Sequence, residues 1–179
     1  MDEFQFQDPF STLEPLEFAG IGSRKAPEAM LRWAMAIGAE LCRRNLILRS
    51  GAADGMDRAF EDGCDSVSVF NKEILLPWKL YNGHPSRFYE PTPEAHRIAS
   101  LVHPRWHALT EPVRRLHARN SHIILGRDCR SPVAFIVCWT PRGEMVGGTA
   151  QALKIAERLN IPVYNLAKLA LERRIEIPF

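Results

Sequence analysis

The sequence has no C-x-x-C pair, no apolar run of the ~20 residues that a bilayer-spanning helix needs, and no marked excess of charge of either sign. Each absence excludes something. Cys42, Cys64, Cys129 and Cys138 are scattered, three of them in or beside apolar stretches. A reduced set of thiols behaving as small hydrophobes is therefore expected, not a disulfide framework. The start, Met1-Asp2-Glu3-Phe4-Gln5, lacks the basic flank and apolar stretch of a secretory signal. The expected setting is the cytoplasm, with no membrane partner. A net charge of +2 and a pI near 8.4 fall short of the pI above ~9 common in nucleic-acid-binding domains, so charge neither requires nor forbids DNA. Histidines are few and badly spaced for metal. His103 and His107 stand four apart without a third ligand, and His117 and His122 stand five apart. No metal and no cofactor are expected, and no Ser-His-Asp or Cys-His arrangement is recognisable.

What is present is an ordinary globular balance, with 46% hydrophobic and 25% charged residues, enough to build a core. A length of 179 residues suits one domain. Residues 1–15, with Pro9 and Pro15, show no period and read as a leader. Residues 16–179 read as a single Rossmann-like nucleotide-binding domain. Leu16 to Ile21 is a short strand. From Pro27 to Arg44 the positions Met30, Trp33, Ala34, Ile37, Leu41 and Cys42 recur at three and four residues, a helical stripe. Leu46-Ile47-Leu48 is a second strand, Met56 to Asp62 a helix, and Glu73-Ile74-Leu75-Leu76 a third strand. Residues 79–92 read as an ordered excursion with the character of a lid. Two helices follow, one over 93–102 and one from Thr110, a good N-cap. Val133 to Cys138 is an unbroken apolar run, as in a parallel sheet buried on both faces. A helix over Thr149–Leu159 and a strand over Ile161–Tyr164 end the pattern. Strand, glycine loop, helix, strand repeats, and it predicts an α/β Rossmann-like doubly wound, mostly parallel sheet flanked by helices.

In such sheets ligands bind beyond the carboxyl ends of the strands. Gly147-Gly148-Thr149 precedes a helix, whose first N–H groups and partial positive charge suit a phosphate; the alternative is a turn that merely needs glycine. Gly20-Ile21-Gly22-Ser23-Arg24 resembles the start of a dinucleotide fingerprint, with Lys25 where its third glycine would be. Arg24 and Lys25 either pair with phosphates or are solvated. Ser50-Gly51-Ala52-Ala53-Asp54-Gly55-Met56-Asp57 is a second glycine-bounded turn. Asp54 reads as a helix cap, and Asp57 as a grip on a ribose hydroxyl or a general base. Arg119-Asn120 is placed either to bind phosphate or to cap backbone. Trp78 and Trp139 each follow a buried strand and are candidates to stack on a base or to serve the core.

Taken in order, Gly22-Ser23-Arg24, the 50–57 loop, Arg119-Asn120 and the strand leading to Gly147-Gly148-Thr149 resemble the Rossmann-like domain of the DNA-processing protein A (DprA/Smf) family. That family lies within the wider SLOG group, which includes the LOG or "lysine decarboxylase-like" phosphoribohydrolases. The resemblance covers about residues 16–166. Leu76-Pro77-Trp78 and Cys138-Trp139-Thr140-Pro141 also look like elements of small stand-alone DprA-like proteins of bacteriophages. The resemblance implies a nucleotide-binding fold and a homodimer or higher homo-oligomer. LOG hydrolases carry Pro-Gly-Gly-x-Gly-Thr-x-x-Glu, whereas here Ala152 stands three positions after Thr149, so the catalytic Glu is missing from its place.

Three functions follow. The first is binding of a nucleotide or nucleotide-derived phosphorylated ligand, for sensing or sequestration. The second is DprA-like binding of single-stranded DNA. The third is an N-glycosidic hydrolase or transferase acting on nucleotides, with Asp54, Asp57 or Glu144 as acid, base or nucleophile. The phosphate-binding set is Gly20, Gly22, Ser23, Arg24, Ser50, Gly51, Gly55, Asp57, Arg119, Asn120, Gly147, Gly148 and Thr149.

Overall fold

The structure is a computed structural model and describes residues 15–173; the leader expected over 1–15 falls almost wholly outside them. Six strands form one sheet: β1 (Glu17–Gly22), β2 (Ile47–Ser50), β3 (Lys72–Leu76), β4 (Phe88–Tyr89), β5 (Phe135–Trp139) and β6 (Val163–Asn165). Their order is β4-β3-β2-β1-β5-β6, and every neighbouring pair is parallel. The helices are α1 (Glu28–Arg43), α2 (Met56–Asp65), α3 (Pro93–Val102), α4 (Glu111–Leu125), α5 (Thr149–Arg158) and α6 (Leu166–Arg173). No helix of the described residues is long and apolar enough to cross a membrane.

Alternation along β1 shows why both faces must be covered. Phe18 enters one core with Met30, Ala34, Met56 and Phe60 of α1 and α2. Its neighbour Ala19 enters the other with Ile123 and Ile124 of α4 and Ala152 and Ile155 of α5. Successive strand residues point to opposite faces, so an apolar run such as Phe135–Cys138 is satisfied only between two helical layers. The result is an α/β Rossmann-like fold, as the strand–glycine loop–helix repeat predicts.

The chain departs from the sequence reading in several places. β5 begins at Phe135 and not Val133, because Val133 donates its N–H to the Ile124 carbonyl, outside the strand ladder. The last strand is displaced to Val163–Asn165 and runs directly into α6, a helix the apolar pattern did not signal. Thr110 occupies the N-cap of α4 without making a side-chain cap, whereas Thr92 caps α3 by accepting the Ala95 N–H at 3.3 Å. Finally, Cys42 and Cys64 are joined in a disulfide, leaving Cys129 and Cys138 as thiols. The expectation of an entirely reduced set is corrected. Its cause is helix packing: a Cβ on Gly38 of α1 would lie 2.5 Å from the Phe60 carbonyl, and one on Gly63 of α2 would lie 2.0 Å from that of Met35. Backbones so close bring the two cysteine Cα atoms to 5.5 Å, within the range a disulfide bridges.

Candidate nucleotide site at the sheet switch point

β2 and β3 extend the sheet to one side of β1, and β5 and β6 extend it to the other. The segments leaving β1 and β5 therefore diverge and open a crevice, the place where ligands bind in open α/β sheets. A cavity of about 570 Å³ lies there. Residues Ile21 to Lys25 at the end of β1 and beyond it, and Thr140, Pro141 and Val146 to Thr149 after β5, form two of its walls. The close approach of those strand ends requires glycine: a Cβ on Gly22 would lie 2.6 Å from the Trp139 carbonyl and 2.7 Å from Met56 Cγ.

Beneath the mouth lie two buried groups of opposite charge type, each bonded to backbone. Asp57, in the first turn of α2, is 4% exposed and accepts the Gly22 N–H at 3.2 Å. Arg119 of α4 is 5% exposed and donates through Nη1 to the Gly51 carbonyl and, at 3.4 Å, to that of Leu75. Its guanidinium lies 5.7 Å from the Tyr81 ring, within cation–π range. Burial pushes the Asp57 carboxyl up to about 6, against the pull of Arg119 and of the Gly22, Ala53 and Gly51 backbone. Burial likewise lowers Arg119. Both side chains line the cavity, and Arg119 Nε is buried without a partner. Gly51 is a glycine because a Cβ there would fall 1.6 Å from Arg119 Nη1 and 3.0 Å from Asp57 Oδ2.

The β5–α5 loop differs in kind. A Cβ on Gly147 or Gly148 would meet nothing within 4 Å, and Gly147 has φ +67°. The N-terminus of α5 carries no side-chain cap. Asn120 of α4 donates from Nδ2 to the Gly148 carbonyl at 3.0 Å and so ties this loop to the helix across the cavity. Open backbone, uncapped N–H groups and the helix dipole together suit an anion. Arg24 and Lys25 line the same cavity.

The structure sorts the expected residues into three groups. Gly22, Ser23, Arg24, Asp57, Arg119, Asn120, Gly147, Gly148 and Thr149 line the cavity. Gly20, Ser50, Gly51 and Gly55 do not. They hold the walls, with Ser50 Oγ donating to the Gly20 carbonyl at 2.7 Å and a Gly20 Cβ ruled out by Phe60 and Leu48. Trp78, Trp139, Asp54 and Glu144 stand outside the lining. Trp139 packs on the α1–α2 core, and Trp78 meets Tyr81 edge-on at 5.1 Å. Asp54 is exposed and does not cap α2, whose N-cap is Gly55 without a side-chain bond. Glu144 is held by Arg142 at 2.8 and 3.0 Å on the surface.

Tyr81, His103, His117 and Thr140 line the cavity although no local pattern marks them. Tyr81 arrives on the 79–92 excursion. That segment turns through left-handed Leu80 and Asn82, and Asn82 Nδ2 donates to the Ala52 carbonyl at 3.0 Å. The excursion is thus a wall of the site. His103 and His117 are fourteen positions apart in sequence, and the α3–α4 connection brings their rings to 4.6 Å.

No protein-family profile matches the chain, and no curated protein matches it in sequence. Among solved structures the fold is similar to DNA processing protein A from Helicobacter pylori, a protein with a described single-stranded DNA binding mode. The TM-score is 0.57 at 16% identity, covering 89% of this chain and 73% of that one. At that identity the likeness is one of fold, and the chain shares with DNA processing protein A a DprA-like, Rossmann-type α/β architecture.

Proposed function

We propose that the chain binds single-stranded DNA and takes a backbone phosphate of the strand in the switch-point cavity. The observation that carries this is the open Gly147-Gly148 backbone at the uncapped start of α5, in one cavity with Arg24 and Lys25. Phosphate contacts position a nucleic acid without reading its sequence, and an architecture shared with a protein that binds single-stranded DNA supports the strand as the carrier of the phosphate. The experiment is fluorescence anisotropy with a labelled oligonucleotide over ~50–200 mM salt. Affinity should fall linearly with salt on a log–log plot, and Arg24→Ala should weaken binding to all sequences alike and reduce the slope by about 1. Absent or salt-insensitive binding overturns the proposal.

A second reading is a free nucleotide or nucleotide-derived signal, bound for sensing or sequestration. The cavity volume of about 570 Å³ favours it, since small-ligand pockets run to ~300–1,000 Å³. Thermal-shift screening against NAD, ADP-ribose, cyclic nucleotides and nucleoside monophosphates separates the two. Stabilisation by one of these without oligonucleotide binding selects the second reading. The hydrolase reading stands behind both. Asp57 is the one carboxylate among the described residues that lines the cavity, and it is engaged by Gly22 and Arg119.

A further inference from the structure

The cavity has two chemically distinct ends, laid out along α4. Val113, Leu116, His117 and Asn120 all line it and recur at three, one and three residues, so they share one helical face. Seven residues at 1.5 Å rise separate Val113 from Asn120, about 10 Å. Asn120 holds the Gly148 carbonyl and marks the phosphate end. Toward the start of α4 the lining turns apolar, with Val113 and Leu116. The same end carries the imidazole pair, His103 over His117, with ring centroids 4.6 Å apart and planes inclined by 49°.

His117 is 9% exposed and lines the cavity, with the side chain of Gln151 as a polar neighbour. Burial, then His103, then Arg119 push the His117 imidazole down to about 4, so it is uncharged at neutral pH. A neutral ring on an apolar wall is a poor phosphate clamp and a good partner for a flat, polar-edged aromatic group. Unpaired bases are recognised in this way, stacked on aromatic side chains that include histidine and hydrogen-bonded at their edges.

We infer that the end of the cavity formed by His103, Val113, Leu116 and His117 is a nucleobase subsite, which receives an unpaired base of the strand whose phosphate sits at Gly147-Gly148-Thr149. The inference rests on the phosphate reading above and adds to it the position and chemistry of the base. Tyr81, which also lines the cavity, is less free to stack, because Arg119 lies over its ring and Trp78 abuts it.

The test compares an oligodeoxynucleotide with an abasic oligomer of equal length and equal phosphate number, using the full chain. Wild type should prefer the base-bearing strand by roughly tenfold. Leu116→Trp fills the subsite from a half-buried position, and His103→Ala removes the upper ring. Each should bring the preference down to within about twofold, with the salt slope of the base-bearing strand unchanged because no phosphate contact is touched. A preference that survives both variants, or that falls in Tyr81→Ala instead, places the base elsewhere and overturns the inference. Equal binding of both strands by wild type also overturns it, while leaving the phosphate reading standing. Binding of neither strand removes both.

Discussion

At the residue scale, the cavity floor holds two titrating groups with opposed effects on stability. The Asp57 carboxyl is raised from 3.8 to about 6 by burial. Between those values the folded state binds more protons than the unfolded state, so this contribution to stability falls as pH rises from ~4 to ~6. His117 is lowered from 6.5 to about 4 by burial and its neighbours. There the unfolded state binds more protons, and stability falls as pH drops from ~6.5 to ~4. Urea titrations at several pH values separate the two. Relative to wild type, Asp57→Asn should gain roughly 3 kcal/mol between pH ~4 and ~7, whatever its offset from the loss of the Arg119 partner. His117→Phe should gain relative to wild type in the other direction, as pH falls through the same window. Parallel curves for wild type and Asp57→Asn would show that Asp57 ionises normally in the folded protein.

Glycines in the same site divide by what a methyl group would meet. Gly51→Ala drives a Cβ into Arg119 Nη1 and should cost more than ~2 kcal/mol, since backbone or buried Arg must shift. Gly148→Ala meets nothing within 4 Å and is not at positive φ. It should leave the urea midpoint within the ±0.5 kcal/mol of an inert surface change and weaken oligonucleotide binding. A Gly148→Ala protein that binds as wild type would remove Gly148 from the phosphate contact.

At the element scale, the question is what holds each loop at the cavity. For the β5–α5 loop it is Asn120, whose amide bonds to Gly148 across 28 positions of sequence. Asn120→Ala should weaken oligonucleotide binding by roughly 1 kcal/mol, the net value of such a bond, with little change in the urea midpoint because the residue is only half-buried. Equal losses of binding and stability would make Asn120 a fold residue instead. For the excursion that delivers Tyr81, the anchor is Glu61 of α2. Its Oε1 receives Lys72 Nζ at 2.8 Å and His84 Nε2 at 2.7 Å, and Glu61 is 3% exposed. Removing Glu61 leaves His84 without its partner and Lys72 with Asp65 alone. Glu61→Ala should therefore cost roughly 3 kcal/mol and open residues 79–92 to protease before the rest of the chain. Uniform proteolysis would show that the excursion does not depend on this cluster.

For the molecule as a whole, the Cys42–Cys64 bridge ties α1 to α2 across 22 residues and should be worth roughly 3 kcal/mol on chain-entropy grounds. Thiol titration of the unfolded protein should find two free thiols without reductant and four with it, and reductant should lower the urea midpoint. Four thiols without reductant would show that packing alone holds these helices. The fold was largely legible, because an apolar run such as Phe135–Cys138 and a stripe such as Met30, Ala34, Ile37 and Leu41 have only one way to be buried. Two elements were not. β4 has two residues and no period to read, and α6 follows β6 without a turn signal.

The sequence by itself determined the parallel sheet, its two helical layers and the glycine loops at the strand ends. Strand periodicity and glycine placement are local properties, and local properties can be read from neighbouring residues. Only the tertiary structure decided which glycines face the cavity and which face side chains, because that depends on what the rest of the chain places within 4 Å of a missing Cβ. It alone brought Asp57 and Arg119 to one cavity, moved Trp78, Trp139, Asp54 and Glu144 out of the lining, and joined Cys42 to Cys64. It also brought His103 onto His117. Those are long-range contacts, set by where helices cross and strands diverge, and no spacing along the chain encodes them directly.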